Sequence, residues 1–499
     1  MQRWPYGIIG LTSAGLGLAA GHALASLVNP ASSPIVAVGA VFIDLTPPWL
    51  KDFAGAAFGT ADKLVLLIGI GVVVAALAFG AGLLARRSPR AGILATAALA
   101  LLPTIAALSR PGAGVVDALP GLLAGVVGAG ALTLQRRTLE TPRSTSPRGE
   151  GGLDRRRFIV ATAGTAVGSG ILASLGGSAA PSAVTPVVLP PLPSTEPAIP
   201  GGLEAMAPGI SPLRTPTKDF YRIDIALSPP RIDPAEWKLT IDGLVGKPLT
   251  ISWDELLAMP MIERDITLTC VSNPIGGDLC GSTRWRGVRV ADLLRRADPR
   301  PAADMVLSSS PDGFSASTPL AVLLDGRDAM IAIAMDGEPL TSIHGAPARL
   351  LTPGLYGFVG ATKWLTRLKV TTFAEDKAYW TTRGWSEEGP VKTSARIDTP
   401  RQAAKVGEVI IGGVAWATHR GVSAVEVQVD DGPWLPATLG PDVGVDYWRQ
   451  WYLRWQATPG QHRLAARAYD TDGRPQEEAI RAVAPDGATG YHRVGINVT

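Results

Sequence analysis

The sequence predicts three parts in order: an N-terminal α-helical transmembrane bundle of five spans, a mixed α/β domain, and a C-terminal immunoglobulin-like β-sandwich. The first observation is composition. Hydrophobic residues make up 46% of the 499 residues and charged residues only 18%, whereas a soluble chain carries about 25% charged residues. The second is charge distribution: residues 1–180 hold 14 Lys or Arg and 7 Asp or Glu, and residues 181–499 hold 32 and 36. The basic excess therefore belongs to an apolar first part, and the second part has no large basic face for nucleic acid.

Five apolar runs in the first part are each close to the roughly 20 residues that cross a bilayer as a helix. They lie near residues 7–28, 63–84, 91–109, 114–135 and 158–178. Arginines concentrate after the second run and after the fourth, where residues 136–157 contain seven of them. Because Lys and Arg are enriched in cytoplasmic loops, this pattern predicts a multi-pass protein of the cell membrane, with everything after residue 180 on the extracytoplasmic side. The segment Pro34–Leu50 would invert that topology if it crossed, so we expect it to be interfacial.

A short basic motif precedes the fifth run. It reads Asp154-Arg155-Arg156-Arg157-Phe158 and is followed by a stretch rich in Gly and Ala. The motif resembles a twin-arginine export signal placed inside the chain. The alternative is ordinary anchoring by positive charge on the cytoplasmic side.

Composition divides the chain into five segments. We predict a four-span membrane domain over 1–135, a cytoplasmic Arg-rich loop with the fifth span over 136–180, a Pro-rich extended tether over 181–216, a mixed α/β domain over 217–375, and a β-sandwich over 376–499. In the mixed domain, short β-like runs alternate with helical pieces. After residue 400 only β-like runs follow, with Asp-rich turns between them, and this spacing favours the immunoglobulin-like sandwich.

Two cysteines in the whole chain exclude a disulfide framework and a Cys-rich zinc or iron–sulfur site. Cys270 follows a β-like run and opens a turn that contains Asn273, Gly276 and Gly277. Glycines allow close approach of the backbone to a ligand. By itself, a cysteine at this place is typical of a buried small side chain, so its functional interpretation depends on other motifs. We expect Cys280 to be a free structural thiol rather than a disulfide partner.

Three further motifs accompany the cysteine turn. They are Phe220-Tyr221-Arg222-Ile223-Asp224, His344-Gly345-Ala346-Pro347-Ala348-Arg349, and Pro353-Gly354-Leu355-Tyr356-Gly357 leading to Thr362-Lys363-Trp364-Leu365. Together they resemble the sulfite oxidase family of molybdenum enzymes, over roughly residues 200–490. With the five apolar runs, the layout is most similar to the membrane-anchored molybdopterin oxidoreductases of actinobacteria. The resemblance implies that the mixed domain binds one molybdopterin and that a β-sandwich of the dimerisation type follows it.

The resemblance also implies a role for each matching residue. Cys270 would be the protein ligand of molybdenum, and a soft thiolate suits such a metal. The implied cofactor-binding positions are Phe220, Tyr221, Asn273, Ser309, His344, Arg349, Gly357, Ala361, Thr362 and Lys363. Lys363 and the backbone of Ala361 and Thr362 would hold the phosphate of the cofactor, to which Arg349 offers a forked donor.

Three arginines are candidates for contact with an anionic substrate. Arg222 and Arg286 are assigned as catalytic cations, and Arg396, near the start of the sandwich, is a further candidate. For each of them the alternative is an ordinary salt bridge.

The sequence departs from the sulfite oxidases at two places. Ile333 stands where the resemblance places a tyrosine near the metal, and Asn273 is followed by Pro274 and Ile275 where sulfite oxidases carry two arginines. These departures put sulfite in doubt as the substrate. A sulfite-like anion and a sulfoxide both stay open.

We therefore predict a membrane-anchored, extracytoplasmic molybdopterin oxidoreductase that carries out two-electron oxygen-atom transfer at a Cys-ligated molybdenum. The expected partners are a small-molecule or sulfoxide substrate and a separate redox partner in or at the membrane, with a homodimer through the β-sandwich and no nucleic acid. Among the apolar runs only His22 is a histidine, so no haem held by two histidines is expected there. The alternative is a cofactor-free, membrane-displayed binding module that keeps the fold.

Overall fold

The computed structural model describes residues 4–47, 62–110, 113–140 and 187–499, with positions 50, 53, 57 and 169 described singly. The chain forms two compact units. The first comprises residues 1–184 together with 225–231, and the second comprises residues 185–224 together with 232–499.

The first unit is helical. Its helices are α1 (Trp4–Val28), α2 (Pro34–Leu45), α3 (Asp62–Arg87), α4 (Pro89–Leu108) and α5 (Leu119–Glu140). Among the described residues, the segments long and apolar enough to cross a membrane are Trp4–Val28, Leu64–Arg87, Pro89–Leu108 and Val115–Arg137. They coincide with the first four predicted runs. The fifth run and the twin-arginine-like motif lie outside the described residues.

The short helix α2 occupies the segment that the sequence predicts to be interfacial. Its 12 residues extend about 18 Å, well short of the roughly 30 Å hydrocarbon core of a bilayer. This length is compatible with a position at the interface, which stays a prediction.

Glycines let α1 approach its neighbours closely. A Cβ atom at Gly10 would lie 2.2 Å from the carbonyl oxygen of Ala78 in α3, and one at Gly17 would lie 2.3 Å from that of Ala124 in α5. Small residues at helix crossings are typical of packing between membrane helices. A larger side chain at either glycine would therefore push these helices apart.

The mixed domain of the second unit contains two sheets. Its strands are β1 (Lys238–Gly243), β2 (Leu249–Ser252), β3 (Met261–Thr269), β4 (Cys280–Arg289), β5 (Met305–Ser309), β6 (Ser315–Pro319), β7 (Met330–Met335), β8 (Glu338–Pro339), β9 (Arg349–Leu351) and β10 (Arg367–Thr371), and its helices are α6 (Trp253–Leu257), α7 (Val290–Ala297), α8 (Leu320–Leu324) and α9 (Gly357–Gly360). One sheet has the order β2-β1-β10-β5-β6, and the other has β3-β4-β7-β8 with β9 also paired to β7. Both contribute to one core that includes Leu239, Leu368, Val288 and Ile331.

Strands β3 and β4 form the hairpin that carries Cys270. Their register runs from Met261 opposite Val288 to Thr269 opposite Cys280. Because side chains alternate along a strand, Ile266 and Trp285 share one face, where they belong to the same buried cluster. The other face carries the ion pairs of Asp265 with Arg284 and of Glu263 with Arg286. The buried cluster around Trp285 therefore lies on the face of the hairpin opposite to these ion pairs.

The C-terminal part is a sandwich of two sheets. Its strands are β11 (Ser394–Thr399), β12 (Ala403–Ala404), β13 (Gly407–Trp416), β14 (Val422–Val429), β15 (Trp434–Pro436), β16 (Thr438–Leu439), β17 (Arg449–Ala457), β18 (Gly460–Asp470) and β19 (His492–Val498). The sheets have the orders β11-β13-β17-β16 and β12-β19-β18-β14-β15, and they share a core containing Ile411 and Trp451 from one and Val425 and Leu464 from the other. The predicted strands and the Asp-rich turns between them are present. The immunoglobulin-like assignment stays a prediction.

The sequence predicts an extended tether for the Pro-rich segment, whereas its described part packs on the mixed domain. From residue 187 onward it belongs to the second unit, where Leu189 and Leu192 contact the core of the mixed domain. The side chain of Arg284 donates to the carbonyl oxygen of Glu196 at 3.3 Å. Apolar side chains spaced among the prolines explain the difference, because they give the segment surface to bury.

Candidate active site

Cys270 lies directly after β3, at the start of a closed turn that returns to β4. The Cys270 amide donates to the carbonyl oxygen of Leu279 at 2.9 Å, and the Asn273 amide donates to that of Cys270 at 3.1 Å. The side-chain oxygen of Asn273 accepts from the Leu279 amide at 3.0 Å. Gly276 has a φ of +74°, which a glycine adopts without strain. The turn thus fixes the position of Cys270 through backbone bonds, and Asn273 acts within the turn.

The Cys270 side chain is buried, with the Ser272 hydroxyl 3.1 Å from its sulfur. Burial raises the pKa of the Cys270 thiol, against the bonds to Ser272 and the positive charge of Lys363, which lower it. The thiol is therefore protonated at neutral pH in the absence of a metal. Metal binding would displace this proton, because a cysteine binds metals as the thiolate.

Aromatic side chains form a wall beside Cys270. Phe220 stacks on Tyr221, with 5.4 Å between ring centroids, and meets Trp285 edge-on at 5.6 Å. A Cβ at Gly281 would lie 3.0 Å from the Phe220 ring. Burial, and then the nearby charge of Cys270, raises the pKa of Tyr221 well above its usual value. Tyr221 therefore stays a neutral hydrogen-bond donor close to Cys270. The aromatic wall offers a surface for a flat ligand.

His344 and Arg349 are buried next to this wall. The His344 ring meets Phe220 edge-on at 5.9 Å, and its Nε2 donates to the carbonyl oxygen of Thr217 at 3.1 Å. Arg349 lies over the Trp285 ring at 5.2 Å and donates to the carbonyl oxygen of His344 at 3.1 Å. Burial lowers the pKa of His344 to about 4, with a smaller contribution from Arg349. The imidazole is therefore neutral at physiological pH.

Lys363 completes the cationic part of the pocket. Its ammonium donates to Asp224 at 2.9 Å and to the carbonyl oxygen of Ile343 at 2.9 Å. Asp224 also accepts from Arg222 at 2.9 Å, so one carboxylate joins the two cations. Burial lowers the pKa of Lys363 to about 8, although Asp224 opposes the shift.

The buried cations suit this pocket to an anion. Burial lowers the pKa of Arg349 to about 10, and its Nε has no hydrogen-bond partner among the described residues. A buried donor without an acceptor costs about 1–3 kcal/mol. A phosphate accepts such bonds and offsets the positive charge. The residues present therefore fit a flat, phosphate-bearing cofactor next to a thiol ligand.

The structure brings together Phe220, Tyr221, Arg222, Cys270, His344, Arg349 and Lys363 from the predicted set. At the other predicted positions, the structure shows bonds to other parts of the protein. The Thr362 hydroxyl pairs with that of Ser308 at 2.6 Å, and the carbonyl oxygen of Ser309 accepts from the Thr366 amide at 3.0 Å. The Ala361 amide donates to the carbonyl oxygen of Gly357. Contacts of these four residues with a cofactor stay predictions.

The structure pairs Arg286, predicted to be a catalytic cation, with a carboxylate. Its guanidinium donates to one oxygen of Glu263 at 2.7 and 3.0 Å and to the carbonyl oxygen of Pro190 at 3.2 Å. Arg286 follows Trp285 on β4, so its side chain projects from the opposite face of the sheet. The structure thus shows the salt bridge of the alternative interpretation and a bond that holds the Pro-rich segment, and a catalytic role of Arg286 stays a prediction.

Two other residues differ from their predicted surroundings. Arg396 is fully engaged, donating to Asp398 at 2.6 Å and to the carbonyl oxygen of Gly277 at 2.7 Å, so it is not a free cation for substrate. Ile333 packs in the core of the mixed domain, whereas Met335, on the same strand, packs with Phe220. The structure therefore gives no support for a position of Ile333 beside Cys270.

Three residues of the site were given no role by the sequence interpretation. Asp224 bridges two cations, Trp285 supports Arg349, and Tyr356 is buried nearby. Burial raises the pKa of Tyr356 to about 12, with smaller contributions from the charges of Cys280 and other groups. The signals were present, since Asp224 ends the first motif and Tyr356 belongs to the last, but neither motif states which side chains meet.

Part of the chain is similar to proteins of a known family. Residues 226–380 match the family described as the oxidoreductase molybdopterin binding domain. The mitochondrial sulfite oxidase of Drosophila melanogaster is 28% identical over 347 residues, with 57% of this chain and 59% of that protein covered. The uncharacterized oxidoreductase YuiH of Bacillus subtilis (strain 168) is 31% identical over 157 residues, with 32% of this chain and 76% of YuiH covered. The chain belongs to the sulfite oxidase family of molybdopterin-dependent oxidoreductases.

As a member of the sulfite oxidase family, the chain uses a molybdopterin cofactor. It spans about three fifths of the length of the curated sulfite oxidases that it matches. Among solved structures, the sulfane dehydrogenase SoxCD from Paracoccus pantotrophus is 22% identical, with 56% of this chain and 83% of that chain covered and a TM-score of 0.49.

Proposed function

We propose that this member of the sulfite oxidase family is a membrane-anchored oxidoreductase, with its catalytic part on the extracytoplasmic side and molybdenum bound by Cys270. The reaction is a two-electron oxygen-atom transfer. The observation that carries the proposal is the position of a buried thiol, at the end of a closed turn, next to an aromatic wall and buried cations.

The residues of the pocket divide the work of holding the cofactor. Arg349 and Lys363 bind its phosphate, and the neutral His344 donates or accepts at its polar edge. Phe220 and Tyr221 exclude water from one side of the ring system. Bound there, the metal of the cofactor supplies the two-electron change that oxygen-atom transfer requires.

Asp224 keeps Lys363 in place through an ion pair at 2.9 Å. Because the same carboxylate binds Arg222, removing it would leave two cations without their carboxylate partner in a partly buried site. We therefore assign Asp224 to the orientation of the phosphate-binding cations.

A sulfoxide is the substrate class that the arrangement favours over a sulfite-like anion. Of the three arginines considered for an anion, Arg286 and Arg396 are bound to carboxylates and carbonyl oxygens elsewhere. Arg222 is left, and it pairs with Asp224. Reduction of a sulfoxide consumes two electrons and two protons and releases a thioether and water. A separate redox partner in or at the membrane delivers the electrons.

Helix count and charge support the topology. The last turns of α3 and α5 carry Arg86 with Arg87 and Arg137 respectively, and arginine-rich ends belong on the cytoplasmic side. With α2 not crossing, four spans return the chain to that side. The predicted fifth span, over 158–178, then carries the catalytic part outside, with the twin-arginine-like motif at its cytoplasmic end. The homodimer through the sandwich is proposed on the resemblance alone.

Turnover by the purified full chain tests this function. One assay follows the oxidation of a reduced dye with a methionine sulfoxide peptide as substrate, and the other follows the reduction of an electron acceptor with sulfite as substrate. The first rate is expected to exceed the second, and Cys270→Ser should abolish the first. Cys280→Ser is the matched control, because Cys280 is as buried as Cys270 but bonds to Thr269. Rapid sulfite oxidation would contradict the substrate class. Protein without molybdenum from a cofactor-producing host would favour the cofactor-free binding module instead.

A further inference from the structure

The turn that carries Cys270 is contacted at its two glycines by side chains of the C-terminal sandwich. Arg396, on β11, donates to the carbonyl oxygen of Gly277 at 2.7 Å. The ring of His492, on β19, lies against Gly276, where a Cβ atom would be only 2.2 Å from its Nε2. The hydrogen bond from Arg396 holds the turn against the sandwich, and the ring of His492 limits how closely the turn can approach it.

The guanidinium of Arg396 is held in one orientation by further bonds. Its Nε donates to Asp398 at 2.6 Å, and its second terminal nitrogen donates to the Ser211 hydroxyl at 2.6 Å. Asp398 in turn accepts from the Ser211 amide at 2.9 Å. The Arg396 side chain is 9% exposed. Because all three edges of the fork are engaged, the bond to Gly277 has a fixed direction.

The ring of His492 is fixed from its other nitrogen. Its Nδ1 accepts from the Ile397 amide at 3.0 Å, so the Nε2 that faces Gly276 carries the hydrogen. The donor belongs to β11, the strand that also carries Arg396. The two contacts on the turn therefore come from one rigid corner of the sandwich.

The sandwich adds to the bonds that the turn makes by itself. Within the turn, bonds join Cys270, Asn273 and Leu279, and the Gly277 amide donates to the carbonyl oxygen of Pro274 at 2.9 Å. Adjacent glycines have the widest choice of backbone conformation. A metal ligand has to be held within about 0.5 Å of its working position. Bonds from a rigid neighbour supply that restraint.

We propose that Arg396 and His492 are positioning residues for Cys270: they hold the turn 271–279 closed from the sandwich, so that the sulfur meets the metal in one geometry. The inference rests on the proposed role of Cys270 as the molybdenum ligand. It gives the C-terminal sandwich a part in the metal site.

The first test measures the reactivity of Cys270 in the cofactor-free full chain, in a Cys280→Ser background. Alkylation of Cys270 by iodoacetamide should be about tenfold faster in Arg396→Gln and in His492→Gln, because local opening exposes the thiol. The matched control is Arg420→Gln. Arg420 likewise binds a carboxylate, a carbonyl oxygen and a hydroxyl, those of Asp470, Val391 and Thr393, but none of these belongs to the turn.

Alkylation within about twofold of the parent in both variants would overturn the proposal. So would an equal increase in Arg420→Gln, since that would mean general loosening of the sandwich. If Arg396→Gln fails to fold, Gly276→Ala displaces the turn from its own side and should give the same increase. Arg396→Lys keeps one donor for Gly277 and should restore part of the protection.

The second test uses the loaded enzyme and a spectroscopic signature. At equal molybdenum content, the electron paramagnetic resonance spectrum of the one-electron-reduced metal should shift in Arg396→Gln and be unchanged in Arg420→Gln. An unchanged spectrum in Arg396→Gln would overturn the positioning role. Failure of the proposed function can be told apart from failure of this inference. If Cys270 is not the metal ligand, the metal spectrum of Cys270→Ser is unchanged, while the faster alkylation in Arg396→Gln and His492→Gln is still observed.

Discussion

Raising the pH from 7 to 10 should loosen the hold of the pocket on the phosphate of the cofactor, and Lys363→Arg should remove most of that loss. Burial lowers the pKa of Lys363 to about 8, against the opposing charge of Asp224. In the cofactor-free protein the ammonium is therefore charged at pH 7 and mostly neutral at pH 10. A bound phosphate favours the charged form and raises the pKa again, so binding takes up a proton above pH 8.

The size of the effect follows from that proton. Affinity should fall up to tenfold for each pH unit above 8, which is roughly 100-fold or about 2.7 kcal/mol at pH 10. An arginine stays charged over the whole range, so Lys363→Arg should lose less than about threefold. Burial lowers the pKa of Arg349 only to about 10, so that residue contributes at the top of the range in both proteins.

The assay is equilibrium binding of metal-free molybdopterin, followed by pterin fluorescence, to the full chain in the Cys270→Ser background. This background removes thiol ionisation, which would favour metal binding as the pH rises and oppose the trend. Lys369→Arg is the matched control, because Lys369, on β10, also pairs with a carboxylate, that of Asp376. A flat profile in the parent, or the same slope in Lys363→Arg, would refute the assignment of Lys363 to the phosphate.

Three further predictions concern stability, Arg286 and export. Burial lowers the pKa of His344 to about 4, so the neutral form of His344 stabilises the cofactor-free fold above pH 6.5. The free energy of unfolding should therefore fall by up to roughly 3 kcal/mol between pH 6.5 and pH 4. In urea-unfolding measurements, His344→Gln should flatten this part of the pH profile. Arg286→Gln should lower the free energy of unfolding by about 1–3 kcal/mol through its unpaired carboxylate partner, while kcat stays within about twofold because the residue lies on the other face of the sheet; a large loss of kcat would restore it to the site. Replacing Arg155, Arg156 and Arg157 by lysine keeps the positive charge and removes the arginine-specific signal, so the catalytic part should become resistant to external protease; a molybdenum-loaded domain still exposed outside would leave ordinary anchoring as the explanation.

The elements that the sequence predicts best depend on local pattern. Runs of about 20 apolar residues locate the four described helices that are long and apolar enough to cross a membrane, because this property depends on length and composition alone. Alternating strands with Asp-rich turns locate the sandwich in the same way. The turn after Cys270 is also predicted from local sequence, since Gly276 and Gly277 indicate backbone conformations that other residues would not adopt easily.

What the sequence could not give depends on which side chains meet across elements. Arg286 looks like any other cation until the register of β3 and β4 places it opposite Glu263. Asp224 joins Arg222 to Lys363 across 139 residues of chain, a distance that no local pattern spans. Alternation alone could have separated Arg286 from Trp285, because neighbours on a strand face opposite sides.

X-ray absorption at the molybdenum edge tests the central claim, that Cys270 binds the metal, most directly. The full chain, Cys270→Ser and Cys280→Ser would be loaded in the same host and compared at matched protein concentration. A thiolate and a hydroxyl differ strongly as ligands for this soft site. The account predicts one fewer sulfur neighbour of molybdenum, or loss of the metal, in Cys270→Ser and no change in Cys280→Ser. An unchanged sulfur count and full metal content in Cys270→Ser would contradict it.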